Sequence, residues 1–214
     1  MKNIFCPDKI YHVFNRSIAH FKIFTYQNEI DRILSLFEYY NQELEIPYSK
    51  YNKPSQRFNS VGLMHQKNPL VIKVLGYCIM PDHYHLIIKT VMDNDQIIKY
   101  FSTVENAYAK YFNKKTDRHG HLWSESFKSV MVNSEEQFLY LTKYVHLNPV
   151  KAMLVDKPGK WQHSSFNDYV NPSVLNGLED LSITDCEEYE KFVSAHREYE
   201  KKLEDLDKNR ILID

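Results

Sequence analysis

The spacing of apolar and polar residues along this chain changes period several times, and each change marks an element. "KIYHVFNRSI" (9–18) alternates and is rich in β-formers, which predicts a first strand. "TYQNEIDRILSLFEYYNQELEI" (25–46) places Ile30, Ile33, Leu34, Phe37 and Leu44 near helical spacing, so an amphipathic helix is expected there, ending before Pro47. Residues 47–69 hold three prolines and no sustained period, which predicts a long loop. "LVIKVLGYCIM" (70–80) reads as a buried strand, Pro81-Asp82 as a tight turn, and 83–90 as the strand that follows. A second helix is expected over 94–115, with Ile97, Ile98, Phe101, Val104, Ala107, Tyr108 and Tyr111 as its apolar stripe. A turn at 117–123 precedes a fourth strand at 126–133. Ser134 then serves as N-cap of a third helix, with Gln137 at the capping-box position. That helix is expected to stop near Asn148, because proline disfavours helical geometry in the residue before it.

The order of elements is β-α-β-β-α-β followed by a further helix. It predicts an α+β, ferredoxin-like antiparallel sheet with helices on one face. Beyond it, 163–184 reads as turns and a short helix, and 186–209 as a charged, mostly solvated helix. No internal repeat or low-complexity tract is present.

Charge divides the chain where the pattern does. Residues 1–160 hold 21 Lys and Arg against 15 Asp and Glu, and residues 161–214 hold 6 against 13. A basic unit of 1–160 and an acidic, mainly helical extension of 161–214 follow, and the basic unit suits a polyanion. Cys6, Cys78 and Cys186 are too few and too scattered for a disulfide framework. Neither a signal-peptide core nor a membrane-length apolar run is present, so a cytoplasmic protein is expected.

Chemistry concentrates in "GYCIMPDHYHLIIKT" (76–90). Residues i and i+2 of a strand share a face, so His83 and His85 point together while Tyr84 and Leu86 take the other side. Either that face is wet, or the two rings converge on something they bind, and imidazole suits several divalent metals. "YLTKYVHLNPVKAML" (140–154) adds Tyr144 and Asn148, one turn apart on one helix face. A phenol can act as a covalent nucleophile, and an amide oxygen can ligate Mg²⁺ or Mn²⁺. His146 lies roughly 200° round the helix from Tyr144 and is expected to face away. Each residue taken alone is also explained structurally, Tyr144 as core and Asn148 as the helix end.

Together, "YHVFNRS", "VLGYCIMPDHYHLII", "YFNKKTDRHGHLWSESFKS", "YVHLNPVKAML" and "WQHSSFNDY" resemble the successive blocks of the REP-associated tyrosine transposases. These belong to the HUH single-tyrosine, insertion-sequence 200-like superfamily. The resemblance runs from about residue 10 to residue 169. It implies an endonuclease and transposase acting on single-stranded DNA near hairpins, with a divalent metal, Mg²⁺ or Mn²⁺, held by His83, His85 and Asn148. Tyr144 would attack the scissile phosphate to give a 5′-phosphotyrosine. Two other functions stay open: a catalytically silent hairpin-binding descendant, and a metal-dependent phosphodiesterase in which Tyr144 is structural. His12, Arg16, Lys114, Lys115 and Arg118 are candidate DNA contacts; the 47–69 segment reads first as a mobile insertion, and second as a further contact through Lys50, Lys53 and Arg57. No membrane partner is expected, and the sequence leaves open a homodimer with Tyr144 acting in its own subunit or across the pair. The chain departs from the family at Asp82, where asparagine is usual, and at Ser17, where glycine often follows the arginine.

Overall fold

A computed structural model describes residues 3–41, 48, 71–171 and 185–195. Four strands form one antiparallel sheet: β1 (Ile10–Arg16), β2 (Ile72–Ile79), β3 (His83–Thr90) and β4 (Lys128–Val132). Their order across the sheet is β2-β3-β1-β4, so the two strands that carry the histidines lie side by side at its centre. Helices α1 (Gln27–Tyr40) and α2 (Asn94–Thr116) connect the strands, and α3 (Glu135–Lys151) follows β4. Shorter helices at Phe166–Tyr169 (α4) and Cys186–Ser194 (α5) close the described chain. Among the described residues no helix is long and apolar enough to cross a membrane.

The alternation of the strands sorts the molecule into layers. Tyr11, Val13 and Asn15 of β1 share a face with Tyr84, Leu86 and Ile88 of β3, and α1 and α2 cover it. Phe37 of α1 meets the Tyr84 ring edge-on at 5.3 Å, and Tyr100 of α2 donates through its hydroxyl to the Phe37 carbonyl. Phe37, Tyr84, Phe101 and Tyr108 are buried, and burial of each such side chain stabilises the layer by about 2–3 kcal/mol. The opposite face carries His12, Phe14 and Arg16 beside Ile87, His85 and His83, each pair directly opposite in register. Helix α3 lies across this second face, with the Tyr144 ring centroid 5.5 Å from that of His85.

The helix ends follow their signals. Asp93 Oδ1 accepts from the Gln96 N–H, and Ser134 Oγ accepts from the Gln137 N–H. The Gln137 side chain reaches back to the Asn133 N–H rather than to Ser134. The expected stop at Asn148 is corrected: α3 runs through Pro149 to Lys151. A proline this close to the end withholds only the bond to the Val145 carbonyl, and the next turn still closes from the Ala152 N–H to Asn148 O. The 47–69 segment, apart from Tyr48, lies outside the described residues. So do the ends expected for the first helix (42–46) and for the charged C-terminal helix (196–209).

The stretch after residue 160 is stitched to the outer edge of β2. The Ile79 N–H donates to His163 O, the Ser165 N–H to Tyr77 O, and Tyr169 Oη to Leu75 O. Trp161 Nε1 donates to Ile79 O, which makes this tryptophan a structural anchor. Gly76 allows the close approach, since a Cβ there would stand 3.2 Å from Tyr169 Oη.

Candidate active site

The turn at Pro81-Asp82 delivers His83 and His85 to the second face of β3, and the register with β1 sets their neighbours. His85 is 1 % exposed, with its Nδ1 2.9 Å from Nε2 of His12. Its other nitrogen, Nε2, is buried with no hydrogen-bond partner. The His83 ring stands perpendicular to that of His85 with centroids 5.0 Å apart. Its Nδ1 is 2.5 Å from Asp82 Oδ1. Both Nδ1 atoms are therefore taken, and the ε nitrogens remain for a ligand. Burial holds the His85 imidazole well below its ordinary pKa, with the nearby His83, His12 and Arg16 adding to the effect. A neutral ring is the form that ligates metal.

Asp82 ties this corner together. Besides His83 it meets His20 Nδ1 at 3.1 Å and Arg16 Nε at 3.8 Å. Burial pushes its carboxyl up, but the hydrogen bond and charge of His83, then His20 and Arg16, outweigh that and bring it to about 2. A carboxylate hydrogen-bonded to one imidazole nitrogen fixes the ring and makes the other nitrogen a better ligand.

Tyr144 is 1 % exposed, its ring 5.5 Å from His85 and 6.2 Å from His12. Asn148, one turn on, donates through Nδ2 to the Tyr144 carbonyl at 3.0 Å, which leaves Oδ1 as its ligating atom. Lys151 Nζ lies 5.2 Å from the centre of the Tyr144 ring. His146 faces away, as expected: its ring nitrogens meet Tyr189 Oη at 2.7 Å and Ser165 Oγ at 2.9 Å.

A cleft of about 170 Å³ opens on this face, lined by Phe14, Arg16, His83, His85, Ser124 and Lys128 among others. Among the described residues no three His, Cys, Asp or Glu side chains converge to hold a metal ion. His83 and His85 are the residues here that could hold a divalent cation, with water or substrate oxygens completing its shell. The orphaned Nε2 of His85 and the neutral donor set fit such an ion.

The structure brings His83, His85, His12, Arg16 and the Tyr144 ring together, while Asn148 is tied to the Tyr144 carbonyl and, like Tyr144, is not among the residues that line the cleft. His12 is fully buried beneath the cleft. Lys115 is engaged by Glu29 at 2.8 Å, and Arg118 Nη2 donates to the His121 carbonyl at 2.6 Å. Lys114 lines a groove between α1 and α2, away from the histidine face. Lys50, Lys53 and Arg57 fall outside the described residues. Ser124 and Lys128 were not apparent from sequence. Lys128 enters the cleft because β4 pairs with β1 so that it stands opposite Phe14, a relation visible only once the strand order is known.

Behind the histidines, on the helix-covered face, Glu105 of α2 accepts at Oε1 from Asn15 Nδ2 (2.7 Å) and Tyr84 Oη (2.8 Å). Burial pushes its carboxyl from an ordinary 4.5 up to about 7, against the two hydrogen bonds, which lower it. Between those values the unfolded chain has released a proton that the folded chain retains, so this group's contribution to stability falls as pH rises. Its full span is about 3 kcal/mol. Urea melts at pH 5 and pH 7.5 should show Glu105→Gln losing less stability than the parent over that interval; equal losses would mean that the carboxyl does not titrate there.

Residues 60–148 match the family described as "Transposase IS200 like". Among solved structures, a REP-associated tyrosine transposase bound to a REP hairpin shares the fold at a TM-score of 0.59 and 11% identity, over 86% of this chain and 94% of that one. A candidate transposase from Deinococcus radiodurans gives 0.37 at 14% identity, over 68% of this chain and 95% of that one. A tRNA(His) guanylyltransferase from Saccharomyces cerevisiae gives 0.43 at 10% identity, over 91% and 80%. Neither of these two weaker likenesses bears on function. Among curated proteins the sequence has no match. The four-stranded antiparallel sheet and its helical layers agree with the fold of the first of these structures, and the similarity to the IS200-like transposase family spans residues 60–148.

Proposed function

We propose that this protein cuts and rejoins single-stranded DNA beside hairpins, with Tyr144 as nucleophile and a divalent cation, Mg²⁺ or Mn²⁺, held by His83, His85 and Asn148. The observation that carries this reading is the placement of Tyr144 by α3 over the sheet face that holds both histidines. The cation supplies a Lewis acid for a phosphate oxygen.

The chain's own residues supply the rest. Tyr144 Oη attacks the phosphorus and loses its proton to solvent. The bond from phosphorus to the 3′ oxygen breaks, and that oxygen takes up a proton to leave as a 3′-hydroxyl. The 5′-phosphate stays on Tyr144, so a second 3′-hydroxyl can reverse the exchange and reseal a strand with no external energy source. Arg16 and Lys128, at the walls of the cleft, hold phosphate oxygens. His12 and Asp82 orient His85 and His83 through their Nδ1 atoms. Neutral donors leave the cation's charge uncancelled, which favours an anionic substrate.

The test is a labelled library of hairpin-bearing single strands incubated with Mn²⁺ or Mg²⁺ and resolved on a denaturing gel. A covalent protein–DNA adduct is expected, absent after chelation and absent in His83→Ala. Cleavage without an adduct would replace this reading with metal-dependent hydrolysis. Binding without cleavage, by a library that contains a bound hairpin, would make the protein a silent descendant.

A further inference from the structure

Between β1 and α1, residues 17–26 form a loop fastened on all sides. The Ser17 N–H donates to Asp82 O at 2.8 Å, and the Ile18 N–H to Leu122 O at 2.8 Å. The Ile23 and Phe24 N–H groups both donate to Pro81 O, and Tyr108 Oη donates to Ile23 O. Ser17 Oγ donates to the Phe21 carbonyl at 2.6 Å. Inside this frame Ala19 (φ 51°) and His20 (φ 56°) both adopt the left-handed conformation, which non-glycine residues avoid.

The strained, fixed backbone holds its aromatic rings outward. Phe21 is 54% exposed and Tyr26 is 65% exposed. Each ring has a cation beside it: the Arg118 guanidinium lies 5.7 Å from the centre of Phe21, and Lys115 Nζ 5.3 Å from that of Tyr26. The loop also adjoins the cleft. His20, next to Phe21, bonds Asp82, which bonds His83. Exposed rings that each have a cation over them do not make the continuous apolar patch that a protein partner would cover. They match the alternation of base and phosphate along a single strand.

We propose that Phe21 is a stacking platform for an unpaired nucleobase of the DNA strand that enters the cleft, with Tyr26 a second platform further out. Arg118 and Arg16 face the phosphates on either side. The inference rests on the reading of the substrate as single-stranded DNA, and its test separates the two.

Binding is measured by fluorescence anisotropy with Mg²⁺ present, in a Tyr144→Phe background that lacks the proposed nucleophile, with the probes checked for integrity on a denaturing gel. The probes are a labelled hairpin with unpaired flanks and the same hairpin blunt-ended. Phe21→Ala and Phe21→Leu are expected to weaken binding of the flanked hairpin by about 5- to 100-fold and to leave the blunt one unchanged, while Phe21→Tyr binds within about twofold of the parent. An unchanged flanked hairpin with Phe21→Leu, an equal loss on both probes, or no binding of either by the parent would overturn the platform. The adduct assay with Tyr144 intact reports on the chemistry separately. Phe21-dependent binding without any adduct removes the strand-transfer reading and keeps the platform. An adduct with Phe21-independent binding does the reverse.

Discussion

Replacing Tyr144 by phenylalanine is expected to lower adduct formation and strand cleavage by at least roughly 10³-fold, because the attacking oxygen is removed and water must take its place. The ring that packs beside His85 and His12 is kept, so the melting temperature should move by no more than about 5 °C. Hairpin affinity should stay near the parent's. Rates from the denaturing gel and a calorimetric melt check both halves. Near-parental cleavage by this variant would make Tyr144 a packing residue and assign the attack to water.

The second large effect is on stability, on the far side of the same helix. His146 bridges Tyr189 of α5 and Ser165, and packs edge-on against Tyr169 with ring centroids 4.8 Å apart. Burial lowers its pKa to about 3, so the ring is neutral, donating at one nitrogen and accepting at the other. His146→Ala would leave a cavity and take one hydrogen bond from each of two buried hydroxyls, which keep their bonds to Tyr77 and Thr142, costing about 3–4 kcal/mol. In a chain of this size that is a fall in Tm of roughly 6–16 °C. A fall below about 2 °C in a thermal melt would show that the bridge carries no stability. The pH dependence has a definite sign. Between about 3 and the ordinary 6.5 the unfolded chain binds a proton that the folded chain refuses. This histidine's contribution is therefore full above 6.5 and is lost as pH falls, opposite in slope to that of Glu105. The two oppose each other between 4.5 and 6.5, and each variant unmasks the other's slope.

Much of this architecture could be read from periodicity. Strand alternation put His83 and His85 on one face without reference to any neighbour, and helical spacing put Tyr144 and Asn148 on one side and His146 on the other. Those relations are local, and local geometry is fixed by the period. The helix end was misplaced because the avoidance of helical geometry before proline is a tendency, outweighed here by packing on both sides of α3. The environment of the histidines was illegible for a different reason. His12 and Lys128 reach the site only through the order β2-β3-β1-β4, which depends on long-range pairing. Asp82 was visible as a departure, but its role as a partner of His83, His20 and Arg16 needed the turn and the loop after β1 in three dimensions. Phe21 and Tyr26 gave no signal at all, since an aromatic residue in a sequence does not announce whether its ring is buried.

The contacts that 161–169 makes with β2 have a practical consequence for where the molecule can be cut. The change of charge near residue 160 invites a division there. Yet the carbonyls of Leu75, Tyr77 and Ile79 and the N–H of Ile79 all find partners in the next nine residues. A chain ended at residue 160 would keep every side chain proposed for catalysis and still expose a bare row of backbone donors and acceptors along β2. Such an edge templates the addition of a strand from another copy, so the shortened protein would be limited by self-association before it was limited by lost chemistry.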